Sequence, residues 1–102
     1  MVTPNIDVKN QAYYLKMQEG HLNFAPTSSK GSIEVNIHDT MNSIRDQMNY
    51  LKTHPDMCTK DNVGVLVGVI QAVATQAKGS HQVSEGIKNE IAKMQKTIAH
   101  MK

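Results

Sequence analysis

A chain of 102 residues that is 39% hydrophobic, with four aromatic side chains and no Trp, has the material for one small domain with a thin core. Its net charge of +2 arises from Lys and Arg interleaved with Asp and Glu. That excludes the clustered basic face that nucleic-acid binding needs. The single cysteine, Cys58, excludes an internal disulfide framework, and no run approaches the ~18 apolar residues of a membrane span.

Met1–Asp7 has neither the basic nor the apolar segment of a conventional signal peptide. The expected location is therefore cytoplasmic, or secreted without such a signal. A short helix is predicted over about 7–19, capped by Asp7, with Val8, Ala12 and Leu15 on one face and Gly20 as its stop. Residues 20–32 have loop composition, with Pro26, Gly31 and three serines, although Leu22 and Phe24 alternate with polar residues as in a short extended strand. Residues 1–32 thus read as a leader, and 33–102 as the main unit.

Ser32 has the character of an N-cap, with Glu34 in the first turn, where the helix dipole favours an anion. Behind it Ile37, Met41, Ile44, Met48 and Leu51 repeat in steps of four and three, the seam of a helix over about 33–52. Pro55 lacks an N–H and disfavours helix at His54, so a turn is expected over 53–62. Val63–Ile70 is β-branched and uncharged, which favours a strand by propensity. The heptad phase that begins there argues for helix instead. It runs through Val63, Leu66, Ile70, Val73, Ala77, Ser80, Ser84, Ile87, Ile91, Met94, Ile98 and Met101 without a slip.

The expectation is an all-α helical hairpin with a long second helix over about 63–101, bent near 79–86 where Gly79 and Gly86 weaken it. Unbroken, such a helix would be about 58 Å long, too long for this chain to cover by itself. Its stripe, Ile70, Val73, Ala77, Ile87, Ile91, Met94 and Ile98, is therefore the expected self-association surface. Gly64 and Gly68, four apart, suit close helix packing, and Ile37, Met41, Ile44, Met48 and Leu51 would pack inside the hairpin. Seven methionines fit a surface or core that repacks.

Chemistry is sparse. His54 and Cys58 have a spacing that begins a zinc site, but His21, His38, His81 and His100 supply no second pair. Asp39, Asp46, Glu85 and Glu90 read as solvated helix surface. The Gly64–Gly68 stretch lacks the Lys-Ser/Thr ending of a phosphate loop. No catalytic residue, metal or cofactor is expected, and residues 63–77 read as a buried contact rather than a lipid contact.

A helix ending at His54-Pro55-Asp56, the turn Thr59 to Asn62, and a C-terminal helix entered through Val83-Ser84-Glu85-Gly86-Ile87-Lys88-Asn89-Glu90-Ile91 resemble the needle and inner-rod subunits of bacterial type III secretion systems over residues 33–102. The resemblance implies a secreted helical hairpin that polymerises into a hollow tube, with its C-terminal helix lining the lumen. The expected function is then non-enzymatic self-assembly, as a homo-oligomer that also meets other secretion-apparatus proteins. The competing expectation is a small coiled-coil adaptor, chaperone or regulator in a closed dimer or 1:1 complex.

Overall fold

The computed structural model describes residues 12–27, 32–78 and 83–101. It contains two strands, β1 (Tyr13–Gln18) and β2 (His21–Pro26), and three α-helices, α1 (Ile33–Thr53), α2 (Lys60–Lys78) and α3 (Glu85–Ala99). A 3-10 turn at Pro55–Met57 joins α1 to α2. The expected all-α helical hairpin is therefore wrong in two places: the N-terminal region holds an antiparallel sheet, and the long second helix is two helices.

The first correction has a local cause. Tyr13, Leu15 and Met17 alternate with Tyr14, Lys16 and Gln18, and Leu22 and Phe24 with His21, Asn23 and Ala25, a period of two that suits a half-buried strand. Glu19 and Gly20 both take positive φ, 53° and 80°, as a type I′ turn requires. Gly20 therefore turns a hairpin instead of ending a helix. The helix expected over 7–19 is a strand from Tyr13 onward, while Asp7 and Val8 lie outside the described residues.

Each helix begins or ends where its sequence asks. The Ser32 hydroxyl accepts from the Val35 N–H at the start of α1, and Pro55 follows its end. Thr59 Oγ1 accepts from the Asn62 N–H at the entry to α2, with Asp61 in the first turn. The Ser84 hydroxyl accepts from the Ile87 N–H at the start of α3.

α2 is helical despite its β-branched composition because it is central. Val63, Leu66, Val69, Ile70, Ala72, Val73 and Ala77 are all buried, on several faces of the helix. A helix that apolar is stable only when wrapped by neighbours, and α1, α3 and β2 all pack against it. Two cross-ties show that the helices run up, down and up. Glu34, at the start of α1, accepts from the Ser84 N–H at the start of α3, and Cys58 lies at the far end against the Met101 carbonyl.

One core joins Leu15 and Leu22 of the hairpin to Ile37, Met41, Ile44, Leu51, Leu66, Ile70, Ile91 and Ile98. In an antiparallel ladder alternate residues turn their N–H and C=O away from the partner strand. With Gln18 opposite His21, these are Tyr13, Leu15 and Met17 on β1 and Leu22, Phe24 and Pro26 on β2. The helices meet these outward groups with polar side chains. Tyr13 N–H donates to Thr40 Oγ1, Leu15 N–H to Ser43 Oγ and Leu22 N–H to Asn62 Oδ1. Pro26, with no N–H to offer, falls at an outward position where none is needed.

Candidate functional site

The seam expected to drive self-association is largely consumed inside the chain. Ile70, Val73, Ala77, Ile91, Met94 and Ile98 are all less than 8% exposed, and Ile87 is half-buried against the same core. The physical reason is the end of α2 at Lys78 and the restart at Glu85. The fold-back lets the two halves of the stripe face each other and α1. Ser80, the middle of the stripe, lies outside the described residues. Gly64 and Gly68 are buried on α2, and Ile37, Met41, Ile44, Met48 and Leu51 line the core from α1.

His54 and Cys58 are not brought together as ligands. The His54 ring stacks on Tyr50, with centroids 4.1 Å apart and planes 11° from parallel, while the Cys58 thiol points to the Met101 carbonyl. No group of three His, Cys, Asp or Glu able to hold a metal occurs among the described residues. No helix of the described residues is long and apolar enough to cross a membrane.

Among the described residues, two shaped grooves lie on the two flanks of α1. One flank is a groove of about 340 Å3 against α3, lined by Arg45, Met48, Asn49, Lys52, Glu90, Lys93, Met94 and Thr97. Met48 and Met94 form its apolar floor. Arg45 is already engaged, donating to Asn42 Oδ1 at 2.8 Å and forming an ion pair with Glu90. Lys52 and Lys93 are exposed and have no ion-pair partner among the described residues. The groove therefore presents free ammonium donors over sulfur and hydrocarbon.

The other flank is a groove of about 320 Å3 against β1, lined on the helix side by Asp39, Asn42, Ser43, Asp46 and Gln47 and on the strand side by Ala12, Tyr13, Tyr14 and Leu15. Among the described residues no Lys or Arg lines it. Asp39 and Asp46 have no ion-pair partner among the described residues. Gln47 Oε1 is buried and accepts no hydrogen bond among the described residues. Tyr14 stands on this side at 57% exposure, the more exposed of two large hydrophobic side chains left in solvent among the described residues.

Heptad spacing creates this division. Asp39 and Asp46 are seven residues apart and form one stripe, and Arg45 and Lys52 form another. Six residues of helix turn the chain by roughly 600°, so the stripes sit about 120° apart. The sequence carried this signal, but reading Asp39 and Asp46 as plain solvated surface passed over it. The contribution of Lys93 and Tyr14 needed the tertiary placement of α3 and β1.

Compared with known proteins, the chain matches no family model, no curated protein and no solved structure.

Proposed function

We propose that the chain is a non-enzymatic structural protein that acts by associating with copies of itself. The observation that carries this reading is the pair of unlike grooves on one helix, one with ammonium groups and the other with carboxylates that have no ion-pair partner among the described residues. Unlike patches on one surface are what a heterologous contact requires, and such contacts generate rings or open filaments. The reading moves the contact off the heptad stripe, which the fold already uses. Membership of a needle- or rod-like assembly of a secretion apparatus is one setting for such a protein, and it remains a proposal that rests on the resemblance alone.

Light scattering with negative-stain microscopy over a concentration series, at low and high salt, tests the reading. Growth in mass with concentration that weakens between about 50 and 500 mM salt is expected, because screening shortens the reach of exposed charges. A mass that stays monomeric throughout overturns it. A fixed dimer would favour the closed adaptor.

A further inference from the structure

We infer that the contact between copies is head-to-tail: the acidic α1–β1 groove of one copy seats on the basic α1–α3 groove of the next, with Tyr14 as its anchor. The inference rests on the self-association reading and names its surfaces.

Three observations point to a second copy as the occupant. The first is charge. Lys52 and Lys93 on one flank and Asp39 and Asp46 on the other are all without ion-pair partners among the described residues. Complementary unpaired charges steer encounter and fix register. The second is hydrogen-bonding sense. A lysine ammonium only donates and a carboxylate only accepts. The third is apolar fit. The acidic flank carries one exposed aromatic ring, Tyr14, and the basic flank has a floor of Met48 and Met94. Aromatic side chains seated in pockets are common anchors of protein contacts, and thioethers pack favourably against rings. The two flanks are unlike, so a docked pair still has one free groove of each kind, one on each copy, and growth continues.

The test uses two double variants of the full chain. In D39K/D46K the acidic groove is made basic, and in K52E/K93E the basic groove is made acidic. Each variant alone is expected to associate at least about tenfold more weakly than wild type, because every contact it can make sets like charges together. Mixed in equal amounts they are expected to pair at wild-type strength, since the intact basic groove of the first meets the intact acidic groove of the second. Sedimentation velocity on each variant and on the mixture reads this directly. Circular dichroism melts check that both variants fold.

Folded variants that fail to pair when mixed would overturn the inference while leaving self-association standing. So would folded variants that each associate like wild type. A wild-type chain that stays monomeric would overturn both the inference and the reading beneath it. Tyr14→Ser provides an independent arm, since the ring it removes is exposed in the monomer. It is expected to weaken association about tenfold or more with the melting curve unchanged. Association unchanged in Tyr14→Ser would remove the ring as the anchor.

Discussion

Asn62 is 2% exposed and every part of its amide is occupied. Oδ1 accepts from the Leu22 N–H at 2.9 Å, and Nδ2 donates to the Gly20 carbonyl at 3.1 Å and the Met57 carbonyl at 2.8 Å. One side chain thus joins the hairpin turn, the 3-10 turn and the start of α2. Replacing it by Ala strands one buried donor, at about 1–3 kcal/mol, and takes a hydrogen bond worth about 0.5–1.5 kcal/mol from each of two part-buried carbonyls that water can reach. Asn62→Ala is therefore expected to lower unfolding free energy by about 2–4 kcal/mol, as read from a urea titration. Thr40 plays a smaller version of this part, accepting from the Tyr13 N–H while donating to the Asn36 carbonyl. Thr40→Val keeps the shape and removes the acceptor, so the same titration should show a loss of about 1–2 kcal/mol. None of these roles is visible in the sequence. Asn62 reads there only as part of the turn after α1, because its partners Gly20 and Leu22 lie 42 and 40 residues away in the chain.

Among the elements, the hairpin shows how weak local rules are settled by context. Glu19 holds φ 53°, a region that β-carbon-bearing residues enter reluctantly and asparagine enters more readily. Glu19→Asn is expected to raise stability by about 0.3–1 kcal/mol, seen as a higher melting temperature. Gly20, at φ 80°, should lose about 1 kcal/mol or more as Ala. Tyr13–Phe24 contains the alternation and the turn glycine of a strand pair, so this element was legible. Ala12 and Leu15 also fit a helical face, so the sequence alone supports a helix plus a loop equally well. The helix predicted over 33–52 rested on a clearer signal, with a cap, a seam and a proline stop all agreeing, and α1 runs Ile33–Thr53. Gly79 and Gly86 mark 79–86 as the weak point of the long helix, where a bend, a hinge or a break is expected, and α2 ends at Lys78. Heptad phase continues across it because the two helices present the same stripe to one core, and periodicity cannot distinguish one rod from two packed rods.

At the scale of the molecule, that fold-back changes what a mutation in the stripe does. Ile91 is buried between α3 and the rest of the core. Placing a carboxylate there desolvates a charge without a partner, at a cost of several kcal/mol, comparable with the whole stability of a small domain. Ile91→Asp is thus expected to unfold the chain or release α3, with loss of helical signal in circular dichroism. Had the stripe been an interface, the same change would have left a folded monomer. A folded, cooperatively melting Ile91→Asp chain would show that α3 docks less tightly than its burial indicates.

The polar ties along the hairpin edges also bear on how the molecule opens. A two-stranded hairpin is marginal by itself in water and would normally fray, exchanging its amide protons quickly. Here the outward-facing amides of Tyr13, Leu15 and Leu22 are bonded to side chains of α1 and α2, not to solvent. Those three protons can exchange only when the hairpin separates from the helices. In deuterium-exchange measurements they should therefore slow to the pace of the α1 and α2 core. The hairpin and the helical core would then open as one cooperative unit.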